Sequence, residues 1–125
     1  MRKERRRVNN NKSILFQVIG ELNRSELQFQ VCEWKLLIET NKYLEIKAPN
    51  GVVKRIYKEK LNVVIGDTKY YADGQLSCSA FCSEDDISNI KIAIVTQLKK
   101  QIAALMSDLQ INQSALSKKM NNDEL

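Results

Sequence analysis

The chain has no histidine, one proline, four glycines and three cysteines in 125 residues. Without histidine, the side chain that most often serves as a general base near neutral pH is missing. Tetrahedral zinc would likewise lack its usual nitrogen ligands. Cys32, Cys78 and Cys82 are an odd set, too sparse for the even framework of a secreted disulfide scaffold, so they read as reduced thiols. Cys78 and Cys82, if they share one extended strand, lie about 13 Å apart, too far for a disulfide. No glycine-rich phosphate loop, nucleophile elbow or zinc-protease helix occurs. A non-enzymatic protein is therefore expected, with no metal and no cofactor. No apolar run reaches the length of a membrane-spanning helix, and the polar N-terminus offers no signal-peptide core, so no membrane association and a cytoplasmic location are expected.

What is present fits a folded domain. Hydrophobic residues make up 43% and charged residues 28% of the chain, inside the globular range and at the size of one domain. The net charge of +5 is concentrated. Residues 1–12 hold Arg2, Lys3, Arg5, Arg6, Arg7 and Lys12 against Glu4, which accounts for all of it and leaves residues 13–125 neutral. Such an arm can collect phosphates or simply aid solubility. The expected organisation is a basic flexible arm over 1–12, a single α+β domain over 13–110 and a polar C-terminal tail over 111–125.

Within the domain, Ile14, Leu15, Val18, Ile19 and Leu22 recur at helical spacing, and Leu27, Val31, Trp34 and Ile38 continue it after a candidate cap at Ser25. The segment Leu27-Phe29-Val31 also alternates like a strand; helix is the reading adopted. Tyr43–Lys47 and Val52–Tyr57 flank Pro49-Asn50-Gly51 and predict a β-hairpin. Leu61–Ile65, Lys69–Tyr71 and Gln75–Cys82, punctuated by Gly66-Asp67 and Asp73-Gly74, predict more antiparallel strands. Ser83-Glu84-Asp85-Asp86 opens the strongest predicted helix, with acids where the helix dipole favours them. The expected fold is thus an N-terminal helical region, an antiparallel meander of about four strands and a long C-terminal helix. That helix carries Ile87, Ile90, Ile94, Leu98, Ile102, Leu105 and Leu109 on one face. The stripe is longer than a four-stranded sheet covers, so Ile87, Ile94, Leu98, Ile102, Leu105 and Leu109 are the expected interface of a homodimer.

The best candidate site is the locally basic stretch Lys42–Lys60, with Lys42, Lys47, Lys54, Arg55, Lys58 and Lys60 against Glu45 and Glu59. Lys54, Arg55, Tyr57 and Lys58, with Tyr70 and Phe81 from later strands, could hold an anion and stack a base. The alternative is that the aromatics face the core; Tyr70 and Tyr71, adjacent on a strand, cannot both do so. Glu84, Asp85 and Asp86 point about 100° apart on a helix and so cap it instead of binding metal. Gln113–Met120 sounds like the start of a helix-turn-helix, but too few residues follow for a recognition helix.

The segment Ala80-Phe81-Cys82-Ser83-Glu84-Asp85-Asp86, leaving a Gly74 hairpin and entering a helix, resembles an Ala-x-Cys-x-x-x-Asp element of small bacteriophage proteins. The resemblance covers about 35 residues. Proteins of that type often antagonise host defence without catalysis, some by sequestering cyclic nucleotide signals. The order of long helix, antiparallel strands and long helix is similar to the YbaB family of dimeric nucleoid-associated proteins, without its glycine-rich linker. The resemblances imply a binding protein that captures a nucleotide signal or nucleic acid, or a dimeric nucleic-acid binder using Arg2, Lys3, Arg5, Arg6 and Arg7. A structural module that meets a partner protein through the C-terminal helix is the third reading.

Overall fold

The structure is a computed structural model and describes residues 6–7, 14–67 and 74–121. Its strands are β1 (Arg6–Arg7), β2 (Ile14–Asn23), β3 (Glu26–Glu39), β4 (Tyr43–Lys47), β5 (Val53–Tyr57), β6 (Ile65–Asp67) and β7 (Gln75–Cys82), followed by helix α1 (Ile87–Asn121). They form one antiparallel sheet in the order β5-β4-β3-β2-β7-β6, with the two-residue β1 paired to β3 at Ile38 and Glu39. The sheet curls on itself into a half-barrel. The expected N-terminal helical region is absent: residues 14–39 are a long hairpin, and six strands in line replace the expected four or so.

The reason is that β2 contributes to both apolar clusters, with Phe16, Val18 and Leu22 towards α1 and Leu15 towards the concave side. Val18 and the Gly20–Phe29 pair lie beneath α1, Val31 opposite Val18 is exposed beyond the helix, and Leu15 pairs with Trp34 on the concave side. With apolar groups required on both sides, Ile14-Leu15-Val18-Ile19-Leu22 imitates helical spacing and the period of two is masked. The β-branched and aromatic content favours the strand. Asn23 and Glu26 close the hairpin, with Arg24 in the left-handed region at φ 58° and its N–H donating to the Gly74 carbonyl at 2.8 Å. The predicted hairpin Tyr43–Tyr57 is present as β4 and β5. The predicted strand at Leu61–Ile65 is instead a loop after a 3-10 turn (Lys58–Lys60) that enters β6 at Ile65. Lys69–Tyr71 lies outside the described residues.

Two apolar clusters share the sheet as a wall. Beneath α1, Val18, Leu76, Cys78, Ala80 and Cys82 meet Ile90, Ile94 and Leu98, which recur every fourth residue on the helix. On the concave side lie Leu15, Trp34, Leu44, Ile46, Ile56 and Phe81. The acids Glu84–Asp86 form a 3-10 turn ahead of α1, and Ser83 donates its hydroxyl to the Asp86 carboxylate at 3.1 Å and accepts no capping bond from a backbone N–H. None of the described helices is long and apolar enough to cross a membrane.

Cys78 and Cys82 both face α1 and are 1% exposed, whereas Cys32 is only half-buried on the other side of the sheet. Burial pushes both thiols above their ordinary range, and for Cys82 the Asp86 carboxylate adds to the shift. Less thiolate is then present at any given pH. Alkylation of the native protein at pH 8, read by mass spectrometry, is expected to modify Cys32 well before Cys78 and Cys82; equal rates would mean that α1 does not cover β7. The same raised values mean that burial of the neutral thiols stabilises the fold at neutral pH and that this contribution is lost as alkaline pH rises through them.

Candidate functional site

The curl brings the two ends of the sheet, β5 and β6–β7, towards each other. Between them lies a cleft of about 360 Å³ lined by Lys54–Tyr57, Lys60, Val63, Ile65 and Ser79–Phe81. Its floor is apolar, supplied by Ile56 and Phe81, and its cations are Lys54, Arg55 and Lys60. Among the described residues no carboxylate lines it. A second, more open hollow of about 500 Å³ at Ile14, Trp34 and Pro49 mixes Glu33 with Lys35 and Lys47, so it has no comparable bias for anions.

Of the residues expected from sequence, Lys54, Arg55, Tyr57 and Phe81 all border the seam. They do not all converge, because neighbours on a strand point to opposite faces. Lys54 turns inward with Ile56 and holds its ammonium 5.3 Å from the centre of the Phe81 ring. Arg55 turns outward and stacks 4.0 Å over Tyr43, which also meets Tyr57 edge to face at 6.1 Å. Lys58 is bound to Glu39 at 2.8 Å. Phe81 is 8% exposed and packs edge-on against Trp34 at 5.8 Å, so it is a floor and not an open stacking face. Tyr57, 48% exposed, is the accessible ring of the set.

Tyr70, Arg2, Lys3 and Arg5 lie outside the described residues, and of Arg6 and Arg7 only the backbone is described, in β1. The expected oligomer interface divides. Ile94 and Leu98 are buried and Ile87 is packed against the chain's own sheet, Ile102 and Leu105 are partly covered, and Leu109 is 63% exposed. Among the described residues no group of histidine, cysteine, aspartate and glutamate could hold a metal ion.

Sequence reading missed the free edge of β5. The Ala48 N–H donates to the Val52 carbonyl and the Lys58 N–H to the Lys42 carbonyl. With the register Ile46↔Lys54 and Leu44↔Ile56, alternation in an antiparallel ladder makes Lys54 and Ile56 the residues bonded to β4. Val53, Arg55 and Tyr57 then turn their N–H and C=O groups away from β4, towards the seam. Among the described residues no backbone partner is found for them. The cleft therefore offers main-chain donors and acceptors beside its cations. The missed lining residues Val63, Ile65 and Ser79 could not be found from sequence, because only the curl brings them to β5. No protein-family model, curated protein or solved structure matches the chain.

Proposed function

We propose that this is a non-enzymatic binding protein that captures an anionic ligand, a nucleotide or a single strand of nucleic acid, in the seam between β5 and β6–β7. The observation that carries the reading is a cleft with Lys54, Arg55 and Lys60 at its rim, an apolar floor and, among the described residues, no lining carboxylate. Its volume of about 360 Å³ is at the small end of ligand pockets and suits a mononucleotide-sized group. The unpaired N–H and C=O groups of β5 can meet the polar edge of a base, while the lysines meet phosphate oxygens. Sequestration of a nucleotide signal, the mode implied by the resemblance to small bacteriophage proteins, requires no more than this. A homo-oligomer belongs to the same reading.

Calorimetric titration with a nucleoside triphosphate, a cyclic nucleotide and a short oligonucleotide tests it. Lys54→Ala with Lys60→Ala is expected to weaken binding about tenfold or more, the weight of one to two charge-assisted hydrogen bonds. Unchanged affinity removes the cleft as the site. Charge removal at Arg2, Lys3 and Arg5 is expected to leave cleft binding nearly intact. If it abolishes binding and flattens the salt dependence instead, the protein is a phosphate-contacting nucleic-acid binder of the arm type.

A further inference from the structure

Helix α1 carries an amide where its packing pattern calls for an apolar side chain. Ile90, Ile94 and Leu98 are buried against the sheet, with Ile87 packed beside them. Gln101 follows Leu98 by three and Ile94 by seven, so it falls on the same face. It is half-buried there. An amide taken out of water needs a partner, and an apolar residue would fill the place without that cost. The partners lie on β7 and β6. The Cys78 thiol donates to Oε1 of Gln101 at 3.6 Å, and the rest of the amide covers Gly66, which pairs with Cys78 across the ladder. A Cβ on Gly66 would lie 2.8 Å from Cδ of Gln101, nearer still to Nε2, and 3.3 Å from the Cys78 sulfur. Gly66 is not in the left-handed region, so space alone requires a glycine here.

β6 has little else to hold it. It is three residues long, ends the sheet and pairs with β7 alone. Short edge segments of this kind are the first parts of a fold to open. The two faces of the strand have different tasks. Gly66 is turned to α1, whereas Ile65, on the opposite face, lines the cleft. The amide therefore bears on the back of a strand whose front is a wall of the candidate site. We propose, resting on the reading of the cleft as a ligand site, that Gln101 is a positioning residue: it holds β6 in place as the wall facing β5 and does not itself touch the ligand.

Hydrogen exchange of the full chain reads the strand without any ligand. Gln101→Ala is expected to speed exchange of the Ile65–Asp67 amides about tenfold while β2 and β4 keep their rates, because local opening is an equilibrium of its own. Unchanged exchange in β6 overturns the proposal whatever the cleft binds. Titration with a nucleoside triphosphate reads the cleft, and the same variant should bind about fivefold more weakly, within the range for residues coupled through a shared contact. Alanine favours a helix more than glutamine does, so the urea midpoint should stay near that of the wild type. Faster exchange with undiminished affinity makes Gln101 a packing residue only and also overturns the proposal. Gly66→Ala forces the intact Gln101 aside and should reproduce both effects. When it is combined with Gln101→Ala, the added methyl group takes the space that the amide leaves, and most of the affinity should return; losses that simply add count against the proposal. A wild-type protein that binds no nucleoside triphosphate, cyclic nucleotide or oligonucleotide sinks the ligand reading of the cleft instead, and the exchange rates then decide by themselves whether Gln101 holds β6.

Discussion

Gly20→Val is expected to lower the unfolding free energy by about 1–3 kcal/mol, the range for overfilling a packed core. Gly20 lies on β2 with β3 on one side and β7 on the other, directly under α1. A Cβ there would stand 2.5 Å from Ile94 Cγ2 and 3.2 Å from Phe29 Cε1. Ile94 is 0% exposed and β-branched, so it has neither free space nor an easy alternative rotamer. The glycine is what allows the helix to approach the sheet closely. Gly20→Ala is the sharper comparison, because alanine in a strand interior would otherwise gain about 0.5–1 kcal/mol over glycine. Urea unfolding followed by the single tryptophan, Trp34, measures both. A neutral or stabilising alanine would mean that α1 sits farther from β2.

Phe81→Ala is expected to cost about 3–5 kcal/mol, the range for deleting a buried aromatic ring. The ring closes the concave cluster against Trp34 and carries the Lys54 ammonium on its face. Removal therefore opens a cavity in one of two cores and the floor of the ligand cleft together. Phe81→Leu, which keeps apolar volume, should recover most of the stability. If ligand affinity also returns with leucine, Phe81 serves the cleft as packing; if stability returns without affinity, the ring itself touches the ligand.

The legibility of the sequence followed how each element is buried. β4 and β5 were readable because each keeps one polar face and the turn Pro49-Asn50-Gly51 is explicit, with Gly51 at φ 91°. The start of α1 was readable from Ile87, Ile90 and Ile94 because the opposite side of that helix is polar. β2 was not, since it feeds both apolar clusters and its apolar residues lose the alternation that marks a strand; in β3 the alternation Leu27-Phe29-Val31 was present but was outweighed by the apparent helical spacing. Of the site, Lys54 and Phe81 were identified as types but not as a pair: 27 residues separate them, and only the curl of the sheet joins them. The free edge of β5 was not legible at all, because which amides face the seam depends on the hydrogen-bonding parity of a ladder and not on residue identity.

That edge has a second consequence, for solubility. A row of unsatisfied amides beside Val52, Val53, Val63 and Ile65, each 39–60% exposed, is a template on which strands of other molecules could add without limit. Lys54 and Arg55 place a cation on each face of the strand, so two such edges approaching each other meet like charge on both sides. The residues that attract an anion thereby act as gatekeepers against fibrillar growth. Neutralising both should let the protein assemble edge to edge as its concentration rises.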